Sequence, residues 1–429
     1  MKKLIVILLL LNATFLSAQT AQDSTQVYKK RVLESAEVDF LMSYYQQDGD
    51  HAAVTGGIGT EKLNNITPTI VLSVPLNEDD VLTIDGEVSA YTSSSSSNVN
   101  PFDGTKPADP FVASSGASGS DAWIGANASY SHSSDDRNRI WSGKLSISNE
   151  FDYFSIGIGG SHTWLFNQKN TEFGLSGNVF FDSWYPVYPY ELRPFAESGS
   201  GYFPGTPVYN PTFSTFTKTG RNSYSAGLFI SQILSKRLQG SLSADYVMQQ
   251  GLLSTPFQRV YFSDVDSSFY ENFRLADDIE RMPDTRSKVA VGGRLNYYIN
   301  QYLTLRTFYR YYFDDWGIQS HTFSVEVPVK ISGSFTLYPS WRFYNQSAAD
   351  YFAPYAKHLS SEQFYTSDYD LSKFTANQYG FGISYTDIFT RFHISKFGMK
   401  SMDLKYHYYS RDTGLKASII ALGVNFVMD

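Results

Sequence analysis

The chain has no cysteine. That removes any disulfide framework and any thiolate metal site. Beyond its N-terminal two dozen residues it has no apolar run of helix-spanning length, so no helical membrane span is expected. Basic excess is missing too: 34 Lys and Arg stand against 42 Asp and Glu, a formal charge of −8. An acidic chain without a basic stripe lacks the electrostatic footprint of a nucleic-acid binder, so no nucleic acid is expected among its partners. Neither a Gly-x-Ser-x-Gly elbow nor a His-Glu-x-x-His pair occurs, which leaves two common hydrolase designs without support. His162, His321, His393 and His407 each lie near a Ser or an acid, a proximity that chance supplies. We therefore expect no enzymatic activity and no cofactor.

The N-terminus is different. Met1-Lys2-Lys3 precedes an unbroken apolar stretch from Leu4 to Leu11, and Leu16-Ser17-Ala18-Gln19 follows. A charged start, a short apolar stretch and small residues make a secretory signal peptide over 1–19, too short to span a bilayer. Its removal takes two positive charges away and leaves the remaining chain at −10.

What the rest contains is a repeated alternation of apolar and polar residues. Sixteen such segments lie near 36–46, 65–75, 81–92, 121–132, 139–149, 152–164, 171–183, 223–234, 238–250, 287–299, 302–314, 320–331, 333–345, 378–387, 401–410 and 415–428. Tight turns follow even segments: Asn77-Glu78-Asp79-Asp80, Ser134-Asp135-Asp136-Arg137, Asn167-Gln168-Lys169-Asn170, Ser235-Lys236-Arg237, Asn300-Gln301 and Ser332-Gly333. Asn, Asp and Gly tolerate the left-handed backbone a hairpin needs. Most odd segments lead into longer loops, the largest being 93–120, 184–222, 251–286 and 346–377. This predicts an all-β transmembrane antiparallel up-and-down β-barrel of about 16 strands, with short periplasmic turns and long extracellular loops. The expected layout is a signal peptide at 1–19, a short periplasmic segment at 20–34 and an outer-membrane barrel at 35–429, both termini periplasmic. A mean hydropathy of only −0.27 fits, because every second barrel residue faces away from lipid. The 32 Tyr and 32 Phe fit aromatic belts where membrane meets water. The one connection out of pattern is 388–400, whose aromatic and basic mix suits either lipid headgroups or an extension of the two strands beside it.

Parity then sorts side chains. Leu303, Leu305, Tyr309, Tyr311 and Phe313 share one face, and Arg306, Arg310 and Tyr312 the other. The apolar face looks to lipid, since a basic charge there costs roughly 2–4 kcal/mol at mid-bilayer. Inward positions on strands one and three are Glu37, Asp39, Asp85 and Glu87. Those on strands ten to thirteen are Lys288, Arg294, Arg306, Arg310, Lys330 and Arg342, with Glu326 among them. An acidic wall would then face a basic wall across the lumen and orient charged or dipolar solutes. The same charges also suit pairing through water or with an inserted loop. His407 is expected inward with Asp403 and Lys405.

The first outward loop concentrates unusual residues. Four glycines fall between Gly49 and Gly59, flanked by Asp48, Asp50, His51 and Glu61. Carboxylates with one imidazole suit a divalent cation, although Asp48-Gly49-Asp50 lacks the spacing of an EF-hand. Asp48, Asp50, His51, Thr60 and Glu61 are candidates for ligand binding or docking, and a purely structural loop is the plainer reading. A second aromatic loop, 184–213, holds Trp184-Tyr185-Pro186-Val187-Tyr188-Pro189-Tyr190 and Tyr202-Phe203-Pro204-Gly205. Its rings suit stacking on sugars, anchoring a partner, or packing on one another.

The run from Tyr44 to Leu63, Tyr-Tyr-Gln-Gln-Asp-Gly-Asp-His-Ala-Ala-Val-Thr-Gly-Gly-Ile-Gly-Thr-Glu-Lys-Leu, resembles the hallmark of an uncharacterised domain-of-unknown-function family of bacterial, Bacteroidetes-type outer-membrane β-barrel proteins. The resemblance implies location and fold, and marks Asp48, His51, Thr55, Gly56, Gly57, Gly59, Thr60 and Glu61 as motif positions without an assigned role. Together these readings lead us to expect a porin-like channel for small polar solutes, in contact with outer-membrane lipid. The alternative is a non-conducting barrel that docks a surface or periplasmic protein through its long loops.

Overall fold

A computed structural model describes residues 30–91, 121–198, 208–270 and 273–428. The signal-peptide segment, loop 93–120 and Tyr202 to Gly205 lie outside the described residues. Sixteen antiparallel strands form the barrel: β1 (Glu37–Asp48), β2 (Leu63–Pro75), β3 (Asp80–Tyr91), β4 (Asp121–Ser133), β5 (Arg139–Asn149), β6 (Tyr153–Phe166), β7 (Thr171–Trp184), β8 (Gly220–Ser235), β9 (Leu238–Gly251), β10 (Thr285–Tyr298) and β11 (Thr304–Asp314). The circuit continues through β12 (Gln319–Glu326 with Val329–Lys330), β13 (Phe335–Leu337 with Ser340–Gln346), β14 (Phe374–Thr386), β15 (Phe397–Arg411) and β16 (Lys416–Met428). Each strand pairs with the next. β1 pairs with β16 from Glu37↔Val427 to Asp48↔Lys416, which closes the sheet and puts the start of β1 and the end of β16 at one rim.

That rim also carries the tight turns. Asn77 Oδ1 accepts from the backbone N–H groups of Asp79 (2.8 Å) and Asp80 (2.9 Å). Asn300 Oδ1 does the same for Tyr302 and Leu303. Between β6 and β7, Asn167, Gln168 and Lys169 take successive left-handed conformations, a three-residue turn that joins the strands without splaying them. The opposite rim carries the long loops.

β12 and β13 are continuous in the sequence pattern but each is interrupted in the structure. Pro328 and Pro339 stand at the breaks, and proline supplies no N–H to a ladder. The Val327 N–H donates to the Pro339 carbonyl (3.0 Å) and keeps the two strands together. The segment 388–400 resolves into parts of both expectations. β15 extends down to Phe397, β14 stops at Thr386, and His393–Ile394 folds back on Phe397–Gly398 as a small hairpin. Ile388 (78% exposed) and Phe389 (75%) project from it, where headgroups would lie.

The outer face is apolar around the circuit: Ile70, Val88, Leu145, Ile158, Leu228, Leu242, Leu295, Phe381 and Leu404 are all exposed. Phe166, Tyr297, Tyr302 and Phe335 ring the short-turn rim, and Phe181, Tyr185, Tyr246 and Phe313 the long-loop rim. Eleven residues of tilted strand separate Tyr302 from Phe313, about 25–30 Å along the barrel axis. Two aromatic girdles around an apolar band of that height match a bilayer's hydrocarbon thickness. The chain is thus an outer-membrane-type β-barrel. Leu145→Arg on this band should destabilise the barrel by about 2–4 kcal/mol, measured as reversible unfolding in lipid vesicles. Ser146→Arg, one residue on and facing the lumen, should cost far less; equal costs would contradict the assignment of faces.

Candidate functional site

Among the described residues, the loops at the long-loop rim do not stand free. They fold into a cap with its own apolar interior. Leu192, Tyr209, Tyr261, Leu275, Ala276 and Ile279 form one buried cluster, and Val260, Phe262 and Tyr365 another. Each large side chain buried there contributes about 2 kcal/mol against the ordering entropy of a long loop. Polar groups tie the same segments together. Arg259 pairs with Glu191 at 2.7 Å. The Tyr365 hydroxyl donates to Asp278 at 2.7 Å, and the Thr366 hydroxyl donates to Glu280 at 2.5 Å. Arg281 and Tyr365 exchange backbone hydrogen bonds, N–H to carbonyl in both directions. His358 is buried between the Glu362 carboxylate and the Thr366 carbonyl.

The cap rests on the inner wall. Gln346 Nε2 donates to the carbonyls of Asp370 (2.9 Å) and Ser372 (2.6 Å). Arg411 pairs with Asp370 at 2.6 Å, and its guanidinium lies over the Phe374 ring. Gln346 and Arg411 both share their strands' inward parity. The segment 368–372 therefore lies inside the barrel mouth. Below it Tyr45, Leu63, Phe374, Ala376, Tyr409, Ala417 and Ile419 pack together.

The glycine-rich motif is the seat of this cap. Its loop turns on a short 3-10 helix, Ala53–Thr55. The Val54 carbonyl accepts from Arg259 at 2.8 Å. The His51 ring stacks on Tyr369, with centroids 3.7 Å apart, and its Nδ1 lies 3.0 Å from the Gly57 carbonyl. Gly56 and Gly57 have φ of +79° and +88°. A Cβ on Gly57 would stand 2.6 Å from the Ser367 carbonyl, and one on Gly56 2.7 Å from the Tyr261 ring. Glycine is needed twice over, for the left-handed backbone and for the close approach of two loops. Glu61 anchors the other side: it accepts from the His51 backbone N–H at 2.6 Å, and its carbonyl accepts from Gln47 Nε2.

The motif candidates therefore separate. His51 and Glu61 are brought together as structural contacts, and Thr55 is held by the Ala52 carbonyl. Asp48, Asp50 and Thr60 do not join them in a ligand cage. Among the described residues no group of three His, Cys, Asp or Glu side chains is placed to hold a metal ion. In the aromatic loop, Tyr188 packs on Phe213 at 5.1 Å and Trp184 on Tyr153 at 4.9 Å, while Tyr185 is exposed. The cap's buried charges were not legible as a site: Glu191, Asp278, Glu280 and Asp368 sit in segments without strand periodicity. The length of 251–286 was the available signal, since a loop that long inside a compact fold is uncommon unless functional.

The lumen candidates alternate with exposed apolar neighbours such as Ile84, Val88, Leu295 and Tyr309. On β1 and β3, Glu37 pairs with Lys400, Asp39 accepts from Asn425, Asp85 accepts from Asn127 and Glu87 accepts from the Thr69 hydroxyl. Each acid is thus satisfied by its own neighbourhood. Across the barrel, Arg306 pairs with Glu326 at 2.8 Å, Arg294 lies over Phe308, and Lys330 is exposed near the short-turn rim. The side chains of Lys288, Arg310 and Arg342 form no hydrogen bond or ion pair among the described residues. His407 faces inward with its Nδ1 buried and unpartnered.

Three cap carboxyls hold their protons unusually well. Burial, then the nearby Asp370, pushes Glu61 up to about 7. Burial and Asp368 push Glu280 to about 7, and burial and Asp370 do the same for Asp368. In the docked cap Glu280 stays protonated at pH values where the undocked loop, near the ordinary 4.5, has released its proton. Docking is thus fully stable below about pH 4.5, weakens as pH rises toward 7, and stays weakened above. Amide exchange in 252–284, corrected for intrinsic pH dependence, should be faster at pH 8 than at pH 5, and Glu280→Gln should flatten much of that difference. Equal protection at both pH values would contradict it. Gly57→Ala should loosen the cap by about 1–3 kcal/mol, read as faster protease cleavage within 347–373. Gly86→Ala, where a Cβ meets nothing within 4 Å, should leave cleavage unchanged.

Among curated proteins no relative matches. Solved structures similar over most of the chain are barrels. A bacterial polysaccharide outer membrane secretin is 9% identical with a TM-score of 0.47, covering 94% of this chain and 100% of its own. A BenF-like porin from Pseudomonas fluorescens Pf-5 is 8% identical with a TM-score of 0.41, covering 92% and 100%. A FadL homologue of Pseudomonas aeruginosa is 10% identical with a TM-score of 0.39, covering 92% and 91%. The family model described as protein of unknown function (DUF3570) matches residues 7–419, and the chain belongs to that family.

Proposed function

We propose that this protein is a porin-like channel of the bacterial outer membrane that passes small polar solutes through its lumen, with the short turns and both termini on the periplasmic side. The observation that carries the reading is the inner face. It carries Glu37, Asp85, Lys288, Arg306, Arg310 and Arg342 inside a circuit of sixteen strands, with an apolar patch that includes Tyr45, Ala417 and Ile419 beneath the cap. Barrels of that strand number are wide enough for an aqueous channel. The cap narrows the outer mouth and makes passage conditional on its docking.

A second reading, docking of a surface or periplasmic protein, has its own support: Tyr185 and Val208 project from the loop around 185–219, and an ordered cap presents a fixed shape.

Planar-bilayer recording separates the two. Purified barrel should give discrete conductance steps, larger at pH 8 than at pH 5 because the cap loosens as Glu280 and its neighbours ionise. A silent barrel at both pH values, in a preparation that migrates as folded on unheated gels, would reject the channel.

A further inference from the structure

Arg310 on β11 and Arg342 on β13 share the lumen-facing parity of their strands, the outward neighbours Tyr309 and Phe323 being exposed to lipid. Between them runs β12. Its register places Thr322 beside Arg310 and Ser324 beside Arg342. The two arginine Cα atoms are two strand spacings apart and one pleat repeat offset, about 12 Å. Guanidinium arms of about 6 Å each reach across that gap to one point above the two hydroxyls.

Neither charge is neutralised there. Arg310 Nε is buried with no hydrogen-bond partner, and the two guanidinium groups lie close enough to repel. Asp245 is the acid that faces Arg310, yet no ion pair joins them among the described residues. Arg306, two inward positions lower on β11, shows the contrast: Glu326 takes its charge directly. The hydroxyls of Thr322 and Ser324 likewise make no side-chain hydrogen bond among the described residues. Small inward residues leave room in front of Arg310, Gly292 on one side and Thr322 on the other.

Two half-buried, unpaired guanidinium groups are costly unless an anion satisfies them. A planar oxyanion is the partner that fits their fork geometry, through parallel charge-assisted hydrogen bonds. We propose that Arg310 and Arg342, with Thr322 and Ser324 beneath them, form a subsite for a small solute carrying a carboxylate or phosphate group. The inference deepens the channel reading and rests on it for the route by which the solute arrives.

The test is current block by succinate and by inorganic phosphate in planar bilayers. One or both should interrupt the wild-type current, and the choice between them assigns carboxylate or phosphate. In Arg310→Gln/Arg342→Gln the half-blocking concentration should rise roughly tenfold or more, the loss of about 1.4 kcal/mol or more. Arg306→Gln should change it by less than about twofold, since Glu326 already occupies that charge. Should the Gln pair fail to fold, Arg310→Lys/Arg342→Lys keeps the charge, loses the fork and should still weaken block severalfold. Equal block in wild type and either double variant overturns the subsite, as does the absence of block by both anions. A barrel that is silent rejects the channel reading by itself. The subsite is then judged by calorimetric titration of the same two anions into solubilised protein, where no heat of binding overturns it.

Discussion

A backbone inside hydrocarbon has no water to bond with, so every N–H and C=O must find a partner in the sheet itself. The pairing of Glu37–Asp48 with Lys416–Met428 answers that requirement at the one place where the chain is not already continuous. Without it the first and last strands would each present an open ladder to lipid. The rest follows from this closure. Once the sheet is a tube, alternate residues must go to lipid or to lumen, irregular backbone must collect at the rims, and the first and last strands must meet. Even the exceptions obey it. Pro328 and Pro339, which cannot donate to a ladder, interrupt neighbouring strands toward the short-turn rim, and the Val327 N–H still finds the Pro339 carbonyl.

The cap is a second structure built on the first. Its segments come from separate loops and are joined by buried side chains and charge pairs such as Arg259 with Glu191. The inner wall gives it fixed points in Gln346 and Arg411, and the glycine-rich loop gives it a third. The family motif is therefore a seat, where two loops approach the backbone more closely than a side chain would allow. The carboxyls it helps to bury stay protonated into the neutral range, and this makes the strength of docking a function of pH. A barrel with this construction has a wall set by lipid and a mouth set by loop packing.

Much of the wall was legible in the sequence because lipid imposes a period of two. Arg306, Arg310, Asp85 and Glu87 are assigned inward from alternation alone, each beside an apolar neighbour such as Tyr309 or Val88 that is exposed. Tight turns such as Asn167 to Asn170 announced themselves through residues that tolerate left-handed backbone. The cap was not legible, for a physical reason. Glu280, Asp368 and Tyr365 owe their burial to contacts between loops about a hundred residues apart, and no local period records such contacts. The picture of an acidic wall facing a basic one was too coarse for the same reason: it counted charges by strand. The structure shows Asp85 and Asp39 satisfied by adjacent Asn side chains, while Arg310 is left unpaired.

We propose that the motif-seated cap controls access to the lumen. The absence of native cysteine permits a direct measurement. Ser320→Cys places a single thiol on the inward face at the mouth, beside Gln346 where the cap is fixed. Its rate of reaction with a bulky, membrane-impermeant maleimide reports whether the mouth is covered. Labelling should be slow when the cap is intact and roughly fivefold to a hundredfold faster when Gly57→Ala unseats it, as expected for a docking loss of about 1–3 kcal/mol. Equal rates with and without Gly57→Ala, in barrels that remain folded, would contradict it.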